Sequence, residues 1–450
     1  MIMGKAADRL LALMPERKGY DLPFDEISEL QVAAMNERLQ ENKSRIKLVA
    51  MRAADEGVSE IRSREDAVKL LLPHTAYKSY AESILREENW PKLTRWLNTI
   101  SAYPTDNPDL NGIKNVDDWI ERLQQAGHYV SCSSGTTGKP AMMIVSEKDI
   151  AFGQQELVNA VCWGAGLEAT GDRRFFSTAA VAKVPKNTAL GVGLFQAFAR
   201  KDVPPFAYPA PPITVGSITE MTVMRKKIAD GTALPDEIAT FEAISAERAK
   251  AMEDAVGIAA DAIIAARHEK LFLMGLWGGQ FAIAKAVRER GYSAKDFRPD
   301  NALFNSGGLK RALLPDDYRE FVFETFNISP ERIFLGYGMQ ELQTIMPKCS
   351  HGRYHVPAWL VILPLNQEGD TLLPAEDGPL TGRAAFFDLS LDGRWGGIIS
   401  GDKIEVDFSP CSCGAKSPTV KDNVTRYADL AGDDKIGCAG TVDAYVRGLS

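Results

Sequence analysis

Residues 131–145 read SCSSGTTGKPAMMIV. Hydroxyls and glycines crowd around one lysine, directly before an apolar run. Glycine lets backbone N–H groups approach phosphate oxygens, hydroxyls donate further hydrogen bonds, and lysine supplies a positive charge. Ser133, Ser134, Gly135, Thr136, Thr137, Gly138 and Lys139 therefore form a candidate phosphate-holding loop. It is not a Walker A loop: two residues separate the glycines where four are needed, and Pro140 follows the lysine where Ser or Thr belongs.

Upstream of the loop, residues up to about 125 read as mostly helical. EISELQVAAMNERLQENKSRIKLVAMRAADEG (residues 26–57) carries apolar residues three and four apart and no proline. Pro73 interrupts LLLPHTAYKSY (70–80), and NPDLNG (107–112) is a turn-rich connector. From Val130 onward, short apolar runs alternate with glycine turns and helical stretches, as in an α/β core. Residues 241–270 read as a long helix and LFLMGLW (271–277) as a buried strand. FAIAKAVRERG (281–291) reads as a helix stopping at Gly291, and ALFNSGG (302–308) as a strand entering a glycine turn. PDDYREFVFETFN (315–327) opens with proline and two acids, which suits a helix start; RIFLGYG (332–338) is another strand. After about Cys349 the reading is mostly β: RYHVPAWLVILPL (353–365), RAAFFDL (383–389), GGIIS (396–400) and KIEVDF (403–408), the last alternating by two. PPFAYPAPP (204–212) is a proline-rich surface loop. The expected fold class is α/β, with helix-flanked mixed sheets and a β-rich lobe. The expected divisions are a helical N-terminal segment packed on the core (1–125), an α/β core (126–348), a β-rich lobe (349–425) and a short C-terminal tail (426–450).

The 450 residues are 45% hydrophobic and 25% charged, ordinary for a soluble globular enzyme. A net charge of −8 without a long basic stripe argues against a nucleic-acid partner. The most apolar helical run, near residues 255–266, contains Asp261 and is followed by Arg267, His268, Glu269 and Lys270, so no membrane span is expected. Lys5, Asp8 and Arg9 interrupt the N-terminus, which reads as no signal peptide and makes the cytoplasm the default location. Six cysteines in so long a chain do not make a disulfide scaffold, but Cys411-Ser412-Cys413-Gly414 raises metal binding.

SSGTTGKP resembles the phosphate loop of the adenylate-forming superfamily, which contains acyl- and aryl-CoA synthetases and peptide-synthetase adenylation domains. The resemblance implies a large adenylate-forming N-terminal domain that binds ATP with Mg2+. It also implies a reaction: carboxylate plus ATP to acyl-adenylate, then transfer to a thiol such as coenzyme A. Tyr337-Gly338-Met339-Gln340-Glu341 is similar to the family's YGxTE, with Gln340 in place of the threonine. It implies Tyr337 on adenine, Gly338 and Gln340 lining the nucleotide, and Glu341 on magnesium. Ser306-Gly307-Gly308 is similar to the adenine-binding turn. Ser400-Gly401-Asp402, between two expected strands, resembles the family's TGD, whose aspartate accepts from both ribose hydroxyls; a carboxylate suits this because it only accepts. Arg426 with Asp429, or Asp433 and Asp434 with Lys435, stands where the family has its hinge. The implied catalytic residues are Lys139, Thr137 and Glu341.

Cys349, His355, Cys411 and Cys413 offer three sulfurs and one imidazole, a set suited to structural zinc rather than to magnesium. His351 is a rival to His355. The pattern Cys349, Gly352, His355, Cys411, Cys413, Gly414 resembles the phenylacetate–coenzyme A ligase branch. Lys310 reads as a solvated lysine and His128 as a structural histidine.

Family members carry a C-terminal domain of about a hundred residues with a late lysine. Here about fifty residues follow Asp402, and no lysine follows Lys435. The expectation is a truncated C-terminal domain, with three explanations open: a short tail, a fragment, or a non-catalytic nucleotide- or acyl-binding subunit. A short tail is also similar to that of acyl-protein synthetases of bacterial luciferase systems, which would make a carrier or protein thiol the acceptor and Cys438 a conceivable one. The sequence leaves open the acid, the thiol and the oligomeric state.

Overall fold

The computed structural model describes residues 5–105, 107–132, 139–305, 307, 313–375, 378–431 and 436. Of the residues singled out above, Ser133, Ser134, Gly135, Thr136, Thr137, Gly138, Ser306, Gly308, Lys310, Asp433, Asp434, Lys435 and Cys438 lie outside this set. The chain divides into two compact units. One gathers the chain up to residue 132, residues 139–156 and the chain from Gly338 on; the other runs from Leu157 to Tyr337.

The second unit is built on parallel strands Arg174–Ser177, Leu271–Gly275, Ala302–Asn305 and Ile333–Tyr337, paired in that order. Parallel strands need crossovers, and helices Pro185–Phe198, Val215–Ala229, Pro235–Ala265, Trp277–Glu289 and Tyr318–Phe326 alternate with them. Phe195 and Phe198 pack on Phe175 and Phe272 from one face, while Leu271 and Leu273 join Ala259, Ile263 and Ile283 on the other; both faces are covered, which is why LFLMG reads as an unbroken apolar run. Phe175 stacks on Phe272 at 4.7 Å between ring centroids and Phe304 on Phe334 at 4.9 Å. The long helix begins earlier than the pattern suggests, with Pro235 in its first turn. None of residues 235–254 is buried; the helix joins the core only from Ala255, with Ala259, Ala260 and Ile263.

The first unit holds an antiparallel sheet in the order Leu360–Ile362, Leu380–Asp388, Gly397–Asp407, Thr419–Lys421, Arg353–His355. Two short strands also pair with the eleven-residue strand Gly397–Asp407: Leu72–Pro73 in parallel and Thr425–Arg426 antiparallel. Strands Tyr129–Cys132 and Met142–Val145 form a separate antiparallel pair, with Cys132 opposite Met142 at the end where the phosphate-loop residues connect them. Residues 26–57 form two helices within Phe24–Asn42 and Lys47–Asp55, not one. Residues 353–365 divide between the strands Arg353–His355 and Leu360–Ile362; Val356 still donates to the Pro418 carbonyl at 2.9 Å, in register with His355 opposite Thr419.

One expectation is corrected. Ser400-Gly401-Asp402 does not separate two strands but lies inside Gly397–Asp407. The partner register jumps there: Ile399 faces Ala385 while Lys403 faces Arg383. The glycine marks a bulge, which the sequence pattern does not distinguish from a turn.

Buried charge ties this unit together. The guanidinium of Arg394, fully buried, donates to the carbonyls of Ile144 (2.9 Å), Glu341 (2.8 Å) and Gln340 (3.3 Å). Asp149, also buried, accepts from the backbone N–H groups of Ser146 (2.8 Å), Asp392 (2.7 Å) and Gly393 (3.0 Å). A Cβ at Gly393 would lie 2.8 Å from the Asp149 carboxylate, so glycine is required for this approach. Burial pushes the Asp149 carboxyl up, against the charge of Arg394 and the three N–H groups that hold it down. Arg394→Met leaves three carbonyls without this donor, the Ile144 carbonyl fully buried, and a loss of at least about 1–3 kcal/mol is expected. Denaturant unfolding followed by tryptophan fluorescence measures it.

Candidate functional site

Residues 340–344 form a turn on which nearly every polar group is held. Ser131, on the strand that leads into the phosphate loop, donates its hydroxyl to the Gln340 side-chain oxygen at 2.7 Å. Arg394 takes the carbonyls of Gln340 and Glu341. The Asp388 carboxylate accepts from Gln343 N (2.8 Å), Thr344 N (2.9 Å) and the Thr344 hydroxyl (3.1 Å). Glu156 accepts from Ile345 N at 3.2 Å. Two stretches more than 200 residues apart in sequence are thereby fixed against each other.

Around Glu341 stand residues that the sequence reading passed over. The turn His74–Lys78 follows the strand Leu72–Pro73 and packs beside Gly397–Asp407. Burial pushes the Lys78 ammonium down, Glu341 opposes this, and Arg426 reinforces it. Burial pushes the Tyr77 hydroxyl up, with Arg394 and Glu341 acting in opposite directions. Asp402 faces Arg426 across the strand pair, with 3.6 Å between the charged groups, and its backbone N–H donates to Ser400 Oγ at 3.0 Å. Lys78, Glu341, Asp402 and Arg426 thus form one mixed-charge neighbourhood in the first unit. Lys139 lies against the Tyr80 ring, 4.9 Å from its centroid, and donates to the Tyr80 carbonyl. Tyr80 in turn donates to the Pro140 carbonyl at 2.7 Å. Tyr337 and Gly307 belong to the second unit: Tyr337 is buried at a strand end, and Gly307 N donates to Asn305 Oδ1 at 3.0 Å. His128 is buried.

A second cluster lies in the β-rich part of the same unit. The ligand atoms of Cys349, His355, Cys411 and Cys413 all fall within 4.8 Å of one another. Two turns of the same form present the sulfurs. Cys349 O accepts from Gly352 N at 3.0 Å and Cys349 N donates to Arg353 O at 2.9 Å; Cys411 repeats this with Gly414 and Ala415, each at 2.9 Å. Gly352 and Gly414 have φ of 75° and 99°, a region that favours glycine. The repeated Cys-x-x-Gly was the signal available in the sequence. His355 is fully buried; its Nδ1 faces Ser417 Oγ at 3.1 Å and its Nε2 faces Cys413 Sγ at 3.4 Å. His351 is exposed, pairs with Ser350 and stands outside the cluster.

No protein-family model matches the sequence, and no curated protein matches it. Solved structures do. An open conformation of 2-hydroxyisobutyryl-CoA ligase in complex with 2-HIB-AMP and CoA is similar with a TM-score of 0.51 and 12% identity, over 92% of this chain and 77% of that one. The same ligase in the postadenylation state with R3-HIB-AMP gives 0.53 and 13%, over 92% and 70%. The chain therefore shares the fold of this ligase, the α/β class expected from the sequence. Among the described residues, no helix is long and apolar enough to cross a membrane.

Burial, with Arg353 nearby, pushes the His355 imidazole down to about 4, whereas an exposed histidine titrates near 6.5. Between these values the folded state binds fewer protons than the unfolded one. Stability of the chelator-treated protein is therefore expected to fall as pH drops from about 6.5 to about 4. The fall should be shallower in His355→Asn, as read by thermal denaturation across that range.

Proposed function

We propose that this chain activates a carboxylic acid with ATP, releasing pyrophosphate and forming an acyl-adenylate, and then passes the acyl group to a thiol, coenzyme A in the first instance. The observation that carries this reading is the Ser131–Gln340 hydrogen bond. It fixes the strand entering the phosphate loop to the turn bearing Glu341, in the unit that also places Lys78, Asp402 and Arg426 together. The fold shared with a ligase seen with an acyl-AMP and CoA supports it. Within this class, the Cys349–Cys413 pattern favours a phenylacetate–coenzyme A ligase-like enzyme.

In this reading the acid's carboxylate attacks the α-phosphorus in line, and catalysis is mostly positioning and charge stabilisation. Ser133, Ser134, Gly135, Thr136, Thr137, Gly138 and Lys139 hold the departing phosphates. Tyr337, Gly338, Gly307 and Gly308 accommodate adenine; Asp402 accepts from the ribose hydroxyls, steadied by Arg426. Lys78 adds positive charge beside Glu341. Glu341 is half-exposed and offers oxygen donors, which suits magnesium; when bound, the ion neutralises charge on phosphate oxygens.

Zinc fits the cysteine–histidine cluster. Tetrahedral zinc with sulfur ligands at about 2.3 Å needs donor atoms about 3.8 Å apart, and the observed atoms lie within 4.8 Å of one another. Ser417 at Nδ1 orients the imidazole so that Nε2 faces the sulfurs. Cys349, His355, Cys411 and Cys413 would hold the ion as a structural brace of the β-rich part.

The test is acid-dependent pyrophosphate release with ATP, magnesium and a panel of aryl and fatty acids, with hydroxylamine trapping and with or without coenzyme A. Asp402→Ala should weaken ATP binding by about ten- to a hundredfold, the worth of hydrogen bonds to a charged group. Glu341→Gln should lower turnover by about a hundredfold with ATP affinity little changed. Absence of pyrophosphate release with every acid, despite ATP binding, would remove the ligase reading.

Elemental analysis of the purified chain should give one zinc per molecule, lost in Cys411→Ser together with thermal stability. A stable, metal-free protein would remove the zinc assignment.

A further inference from the structure

The turn at residues 340–344 is satisfied almost everywhere by its own unit, with one exception. Gln343 is 5% exposed, and neither its side-chain nitrogen nor its oxygen has a hydrogen-bond partner among the described residues. Its backbone N–H is held by Asp388, and its neighbours on both sides are engaged through Arg394, Asp388 and Glu156. The Nε of Arg394, which anchors the same turn, also lacks a partner among the described residues. A buried polar group left unpaired costs about 1–3 kcal/mol. In a turn so completely braced, two residues beyond Glu341, this amide stands out as unpaired.

The chemistry of the amide defines the guest it can take. It presents donors at nitrogen and an acceptor at oxygen. A carboxylate guest would only accept, an ammonium guest would only donate, and an apolar guest would do neither. A hydroxyl does both. We propose that Gln343 reads a hydroxyl group on the carboxylic acid, so that the substrate class is hydroxy acids and this amide is the group that selects them. This rests on the ligase reading given above and names its substrate class.

A site built to hydrogen-bond a substrate hydroxyl rejects the analogue lacking it far more strongly than an apolar pocket rejects a missing methylene. Three pairs of acids differing in one hydroxyl test this: 4-hydroxyphenylacetate and phenylacetate, 3-hydroxybutanoate and butanoate, 2-hydroxy-2-methylpropanoate and 2,2-dimethylpropanoate. The expected result is a preference of about a hundredfold or more in kcat/KM for the hydroxylated member of at least one pair. Gln343→Met, close in volume, should cut that preference at least about tenfold while retaining turnover of the apolar member. Where Gln343→Met does not fold, Gln343→Glu, which only accepts when ionised, carries the same comparison. Equal use of both members in every pair, or a preference unchanged in the variants, overturns the proposal; the amide then holds an internal water, and the Met variant alters stability alone. Pyrophosphate release without preference leaves the ligase reading standing and removes this one. If no acid releases pyrophosphate, calorimetric binding of the same pairs decides: selective binding of a hydroxylated member keeps the proposal without the ligase reading, and unselective or absent binding ends it.

Discussion

A guanidinium sealed from water must spend its hydrogen bonds on the protein, and Arg394 spends them on backbone carbonyls from separate parts of the chain. Two buried carboxylates do the converse. Asp149 gathers backbone N–H groups from both sides of residues 146–393, and Asp388 gathers those of residues 343, 344 and 390. Unpaired, each such charge would be severely penalised; fully paired, each converts that penalty into a geometric demand. The loop-bearing strands, the turn at 340–344 and the residues around 392 are therefore held to relative positions that keep these hydrogen bonds.

This rigidity suits phosphoryl chemistry, in which side chains mostly position and neutralise. Few functional side chains are needed if their mounting does not yield. Glu341 and Gln340 project from a turn whose carbonyls are already engaged, and Asp402 from a bulge within a strand paired on both sides. The cysteine–histidine cluster lies on the far part of the same sheet: His355 ends the strand that pairs with Thr419–Lys421, which in turn pairs with the strand carrying Asp402.

Much of this was legible in the sequence. The apolar runs of the parallel strands reflect local chemistry, and local chemistry is what a sequence displays. The cysteine–histidine set was legible for the same reason, although the choice of His355 over His351 was not. Both follow Cys349 closely, and only the strand register buries one of them. Ser400-Gly401-Asp402 was misread because a bulge and a hairpin turn use the same residues. Lys78 and Arg394 were not legible at all. Their importance comes from partners far along the chain: Lys78 enters the neighbourhood of Glu341 because a two-residue strand pairs with Gly397–Asp407, and Arg394 looks like a loop arginine until its burial is known.

The helix Pro235–Ala265 has a different character in its two parts. From Ala255 one face is embedded beside the parallel sheet through Ala255, Ala259, Ala260 and Ile263; before that, about 30 Å of helix buries no side chain, and Ile244 and Met252 are 48% and 41% exposed. Unwinding the outer part would release backbone hydrogen bonds, the Lys227–Glu237 ion pair and the Tyr208 hydroxyl's bond to the Met252 carbonyl, but little buried apolar area, so it costs less than unfolding the unit. A single continuous helix thus contains two cooperative segments. The outer one can open while the inner one stays locked to the sheet.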